Sequence, residues 1–180
     1  MTDPASQVRP LLRVRQTREF ADAPVDADAV DAIADAGRWS GSSRNSQPWR
    51  FIVVRDPSTL SDLAATGMPQ TRSLASAAAA IAIAMPRDEK RSVSLAYDEA
   101  RAAERMLVAA HLVGLTAGIS WVRGEAHDGI ARALGLPDDR RVRTILAIGH
   151  PTDEARRPKS PPGEARLPRE ETVMSERWSG

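Results

Sequence analysis

The chain has 180 residues, 42% of them hydrophobic, and a net charge of +1 from 25 Lys and Arg against 24 Asp and Glu. That length and apolar content suit one domain with its own core, and the balanced charge gives no general attraction to nucleic acid or membranes. With no cysteine in the sequence, disulfides, thiolate zinc sites, iron–sulfur clusters and thiol redox chemistry are excluded.

The opening residues, MTDPASQVRP, lack the apolar centre of a signal peptide. The most apolar stretch, Ala75 to Met85, is too short to span a bilayer, so a soluble, cytoplasmic protein is expected. Residues 8–20 read as a short helix begun by Pro10 and ending near Thr17. Asp26 is placed to cap a helix from Ala27 to Gly37 with Val30, Ile33 and Ala34 on one face. A polar loop follows, then a strand over Trp49–Arg55, where the apolar run is continuous. Asp56-Pro57 starts a helix running to about Ala65. The Ile alternation of Ala77–Met85, closed by Pro86, favours a second buried strand.

Ser94 is placed to cap a long helix from Leu95 to about Leu115. Along it Ala96, Ala100, Ala103, Leu107, Ala110 and Gly114 alternate at spacings of four and three, a narrow seam of small residues against which another helix can pack closely. Gly118–Val122 reads as a short strand, Glu125–Leu134 as a helix and Val142–Gly149 as the last strand. From Pro151 to Gly180 the sequence is rich in proline and has little apolar periodicity. Yet it carries Val173, Met174 and Trp178 near its end. An arm laid across a partner subunit suits that pattern; disorder is the competing reading.

The polar loop holds the densest chemistry. WSGSSRNSQPWRF, Trp39 to Phe51, has a period of neither 2 nor 3.6. It concentrates hydroxyls, an Asn amide and a Gln amide, all neutral donors and acceptors. Other signatures are missing: no GxGxxG, no GxxxxGK[ST], no GxSxG and no histidines at metal-ligand spacing occur. A reaction run here therefore relies on a bound cofactor rather than a side-chain nucleophile, and no side chain is assigned as catalytic acid, base or metal ligand. Arg13, Arg15 and Arg18, with Arg166 in the tail, are either a solvated face or claws for a phosphate, whose oxygens match the planar guanidinium. An arginine cluster joined to a neutral polar loop is what a flavin mononucleotide (FMN) requires.

These motifs, in this order, resemble the nitroreductase family of FMN-dependent oxidoreductases. Val14-Arg15-Gln16-Thr17-Arg18-Glu19-Phe20 is similar to the family's Arg-Arg-Ser-x-Arg-x-Phe, with Val14 and Gln16 departing from it. Ser42-Ser43-Arg44-Asn45-Ser46-Gln47-Pro48-Trp49 matches Ser-Ser-x-Asn-x-Gln-Pro-Trp without a gap and is the most specific signal. AAHLVGLTAGISWV, Ile148-Gly149-His150-Pro151 and Arg166-Leu167-Pro168 follow as the family orders them. The resemblance implies an α+β fold with a central sheet flanked by helices, in one domain over residues 1–180. It implies a homodimer with two FMN sites at the interface and a C-terminal arm, residues 151–180, reaching over the partner subunit. It also implies flavin contacts from Arg15, Gln16, Arg18, Ser42, Ser43, Asn45, Gln47, Gly118, Ile119, Ser120 and Arg166. The implied activity takes hydride from NAD(P)H to a small-molecule acceptor such as a nitroaromatic, quinone or activated alkene. A flavin-dependent oxidase, a flavin-consuming enzyme and a non-catalytic flavin carrier are the alternatives. Little sequence separates Arg87 from Leu95, so an open or partner-built pocket is expected.

Overall fold

The computed structural model describes residues 3–66, 68–161 and 164–178. Its strands are β1 Arg50–Val54, β2 Ala79–Pro86, β3 Thr116–Trp121 and β4 Arg140–Gly149. They form one antiparallel sheet in the order β1–β2–β4–β3. The helices are α1 Pro4–Val8, α2 Ala27–Arg38, α3 Pro57–Ala64, α4 Ser92–Leu112, α5 His127–Leu134, α6 Asp153–Arg156 and α7 Arg169–Thr172. Among the described residues no helix is long and apolar enough to cross a membrane.

The central strand β2 is buried along nearly its whole length. Its side chains alternate between the faces. Ala79, Ile81, Ile83 and Met85 meet α2 and α4, while Ala80, Ala82 and Ala84 meet the layer containing α3 and α5. A strand apolar at every position needs a cover on both sides. Here Val30, Ile33, Met106 and Leu107 supply one cover, and Leu60, Leu63, Leu74 and Ile130 the other. Each large side chain so buried contributes about 1.5–3 kcal/mol of transfer free energy.

Caps set the helix ends. Asp26 accepts the Asp28 N–H at 3.0 Å to begin α2. Asp56 accepts the Thr59 N–H at 2.8 Å to begin α3, with Pro57 in the first turn. Hydrogen bonds from the Ser58 hydroxyl, then from the Thr59 hydroxyl and N–H, hold the Asp56 carboxyl down at about 2. The end of α4 is a Schellman turn: Leu115 N–H reaches Ala110 O at 2.9 Å and Gly114 N–H reaches His111 O at 3.2 Å. Gly114 sits there at φ 78, a left-handed conformation for which glycine is best suited.

Three sequence expectations are corrected. Residues 8–20 do not form a helix to Thr17. A 3₁₀ turn covers only Leu11–Arg13, after which Gln16 pairs in parallel with Ala117 and Phe20 bridges Pro151. The open edge of β3 offers this segment ladder bonds, such as Thr17 N–H to Ala117 O at 3.0 Å. Secondly, α4 starts at Ser92, and Ser94 lies inside its first turn, donating to Arg91 O at 3.1 Å. Thirdly, the small-residue seam is not one face. Ala103, Leu107 and Ala110 are buried in the chain's own core, Ala96 and Ala100 are exposed, and Gly114 belongs to the terminating turn.

The described part of the tail beyond Thr152 makes α6 and α7 and is almost entirely exposed. Leu167 and Val173 are among its uncovered apolar residues.

Candidate functional site

The Ser42–Trp49 loop connects α2 to β1 and is built under backbone strain. A 3₁₀ turn covers Ser43–Asn45. Arg44, Asn45 and Gln47 have φ of 52, 52 and 44, the left-handed region that side chains other than glycine seldom adopt. Such residues cost about 1–3 kcal/mol each and persist where the surroundings fix them. The fixings are visible. The Ser42 hydroxyl accepts the Gln47 N–H at 2.9 Å, and Asp98 of α4 accepts the Ser43 N–H at 2.9 Å. Arg91 donates to the Ser46 hydroxyl at 3.0 Å, and Arg140 and Arg50 donate to the Pro48 and Trp49 carbonyls at 2.8 and 2.7 Å. Trp49 is buried and stacks on Phe51 with ring centres 6.0 Å apart, so the loop ends on a packed anchor. Trp39 at its other end is exposed beneath the Arg38 guanidinium.

With its backbone held, the loop leaves side chains free. The Ser43 hydroxyl and the Asn45 amide make no hydrogen bond among the described residues, and both residues are exposed. The Gln47 amide makes only a long bond to Asn45 O, 3.4 Å.

The second group of residues lies along the outer edge of β3. Gln16 Oε1 accepts the Ile119 N–H at 3.2 Å. Ladder bonds alternate along an antiparallel strand; with Ala117 and Ile119 turned outward to residues 16 and 17, the N–H groups of Gly118 and Ser120 turn inward to β4. The Ser120 hydroxyl is buried and donates to Gln70 O at 2.6 Å. Gly118 has a steric reason to be glycine: a Cβ there would land on the Thr17 carbonyl oxygen, with the Arg18 stem close by at 3.7 Å. Arg15 and Arg18 are exposed and form no ion pair among the described residues. Arg166 is exposed and, among the described residues, donates only to its neighbour Ala165 O.

The structure thus assembles the expected residues, apart from Arg166 in the exposed tail, into two groups, and it sets them far apart. Strand pairing puts Gln16 in one row with Ala117, Ile148 and Ala79, whereas the loop enters the sheet at Arg50, in the row of Ala84 and Val142. Four strand spacings and about five residues along the strands separate them, roughly 25 Å on the diagonal. The backbone at Gln16 and at the loop's exit is thus farther apart than one flavin mononucleotide is long. Taken singly, each group suits part of such a ligand: two unpaired guanidiniums suit a phosphate, and free neutral amides and hydroxyls suit the edge of a heteroaromatic ring.

Sequence reasoning missed Asp98. It lies with Glu99 among Leu95, Ala102 and Met106 on the inner face of α4, and both carboxylates are buried. A signal existed, since two acidic residues interrupt an otherwise apolar helix face. Glu99 is matched by Arg143, whose Nη2 and Nε lie 2.7 and 3.1 Å from one carboxylate oxygen. Arg143 stands at the register shift between β2 and β4, an irregularity of the kind that redirects a strand side chain.

Known proteins resemble this chain in sequence and in fold. The sequence model of the Nitroreductase family matches residues 13–150. A protein of Archaeoglobus fulgidus, provisionally named an NADH dehydrogenase/NAD(P)H nitroreductase, is 30% identical over 146 residues, which is 78% of this chain and 82% of that protein. An FMN-dependent nitroreductase of Clostridium difficile superposes with a TM-score of 0.81 at 26% identity, covering 94% of this chain and 98% of the other. An NADPH:FMN oxidoreductase of Vibrio harveyi, complexed with NAD+, superposes with a TM-score of 0.78 over 96% and 78% of the two chains; at 22% identity it speaks for the fold alone. With three quarters of its sequence inside the family match and the sheet, helices and loop in place, the chain belongs to the nitroreductase family.

Proposed function

We propose that the protein is an FMN-dependent oxidoreductase that takes hydride from NAD(P)H and reduces a nitroaromatic, quinone or activated alkene, working as a homodimer with two composite flavin sites. The observation that carries the composite site is the separation of the two residue groups across the sheet. In each site one chain supplies Arg15, Gln16 and Arg18, held in place by the Gly118–Ser120 strand edge behind them, and the second copy supplies Ser42, Ser43, Asn45 and Gln47. Arg15 and Arg18 hold the phosphate with charge-assisted hydrogen bonds, joined by Arg166 once residues 151–180 form an arm over the partner copy. The uncovered Leu167 and Val173 support that arm.

When bound, FMN supplies the two-electron hydride chemistry. The chain's part is placement. The neutral amides of Asn45 and Gln47 orient the ring without adding charge. Gln16 clamps the β3 edge through the Ile119 N–H, keeping Arg15 and Arg18 on a fixed strand rather than a mobile helix end. No residue here is assigned to move a proton.

Two measurements on purified protein test the reading. Titration of the flavin-free chain with FMN and FAD is expected to show FMN preferred, because arginines closing on a terminal phosphate leave no room for adenosine. NAD(P)H turnover with a quinone is expected to follow the bound FMN. Equal or tighter FAD binding, or FMN binding without turnover, would overturn the cofactor or the catalytic part respectively.

A further inference from the structure

We infer that Asp98 is a positioning residue that sets the Ser42–Gln47 turn and so builds the loop half of the flavin site; the inference rests on the function proposed above. Asp98 is 2% exposed. One carboxylate oxygen accepts the Ser43 N–H at 2.9 Å, and the other is buried with no hydrogen-bond partner among the described residues. Among the described residues no basic side chain pairs with it, unlike its neighbour Glu99 with Arg143. A buried carboxylate left half-satisfied is a poor way to fill a core, since an apolar residue of similar size serves packing better. What it does provide is an oxygen acceptor held on a rigid helix and aimed at one backbone N–H of the loop.

The place of that bond gives it a purpose. Ser43 begins the turn in which Arg44, Asn45 and Gln47 take positive φ. Two hydrogen bonds close the stretch: Asp98 holds its first N–H, and the Ser42 hydroxyl holds Gln47 at its end. Asn45 and the Ser43 hydroxyl project from between them. Asp98 reaches this loop from α4, 55 residues away in sequence, and so ties it to the core helix that packs against the sheet. Without that tie the strained residues relax toward ordinary conformations and their side chains leave the ring's edge.

The test uses the full-length protein stripped of flavin, with Asp98→Ala, Asp98→Asn, Ser43→Ala and Ser43→Pro. Proline at 43 deletes the donor N–H where the geometry allows it, because Ser42 is extended (φ −131, ψ 158) and Ser43 is the first residue of the turn. We expect faster amide exchange over residues 44–47 in Asp98→Ala and Ser43→Pro than in the parent, and FMN dissociation constants at least tenfold higher. Asp98→Asn, which keeps an oxygen acceptor, regains most of the affinity, and Ser43→Pro binds clearly worse than Ser43→Ala, which lacks only the hydroxyl. Asp98→Ala binding FMN like the parent, Asp98→Asn as weak as Asp98→Ala, or Ser43→Pro equal to Ser43→Ala would each overturn the assignment. Should Asp98→Ala not fold, the Ser43 pair decides. A parent that takes up no FMN contradicts the proposed function instead, while the exchange rates still decide whether Asp98 anchors the turn.

Discussion

Single residues carry two further expectations. Gly118→Ala drives a methyl group into the Thr17 carbonyl, and overpacking of this kind costs about 1–3 kcal/mol. Because the displaced segment bears Arg15 and Arg18, urea unfolding should show lower stability and FMN titration weaker binding in the same variant. A variant of parent stability and affinity contradicts the close packing. His127 gives a pH dependence. Burial, then the positive charge of Arg141, with smaller contributions from Arg87 and Arg143, outweighs its hydrogen bond to Val122 and holds its pKa below the ordinary histidine value. The unfolded chain therefore takes up a proton near pH 6.5 while the folded chain does not. Stability is full above about pH 6.5 and declines as pH falls toward the lowered folded value. Urea unfolding at pH 7.5 and 5.5 should show a smaller decline in His127→Gln than in the parent; equal declines contradict it.

At the scale of elements, much of the fold was legible. Asp26 and Asp56 sit before apolar periods, so α2 and α3 could be read from cap and spacing together. Two-faced burial of β2 follows from its unbroken apolar run. The helix expected within residues 8–20 does not extend to Thr17 because what shapes that end is not local: Gln16 meets Ile119 across 103 positions, and nothing beside Gln16 announces the partner. Asp98 does stand out locally, as an acidic residue on an apolar helix face, but its partner lies in a loop 55 positions away and is not announced there. The seam on α4 was misread because spacings of three and four locate a face without saying whether the chain's own core covers it. Ala103 is 2% exposed within one chain, so Ala103→Trp should lower the stability of the chain itself. The proposed dimer's contact on this helix is expected instead on the side bearing Val93, Tyr97 and Ala100, where Val93 and Tyr97 are each 70% exposed. Ala100→Trp should leave the unfolding midpoint of the chain near the parent's at low protein concentration while shifting light scattering toward monomer. Unchanged dimer mass in Ala100→Trp rules this face out.

For the whole molecule, the loop motif and the arginine motif are each legible in the sequence, and what joins them is not. A linear motif does not say that its two halves emerge at opposite corners of a sheet. Once they do, a second copy is the economical way to bring them together, because two-fold symmetry completes both sites at once. The most direct measurement mixes two defective chains, Arg18→Ala and Asn45→Ala. Loss of a charge-assisted hydrogen bond to phosphate weakens each site of the Arg18→Ala homodimer roughly tenfold or more, and the Asn45→Ala homodimer lacks its ring contact in both. In a mixed dimer one site receives the intact Arg18 and the intact Asn45 from different chains, and the other site receives both defects. After unfolding and refolding the two variants together, statistical pairing gives a native site at roughly a quarter of positions. This fraction is expected to bind FMN with parental affinity and to recover NAD(P)H turnover in proportion. If the mixture binds no better than the average of the two variants alone, each flavin site is built by a single chain and the composite site is wrong.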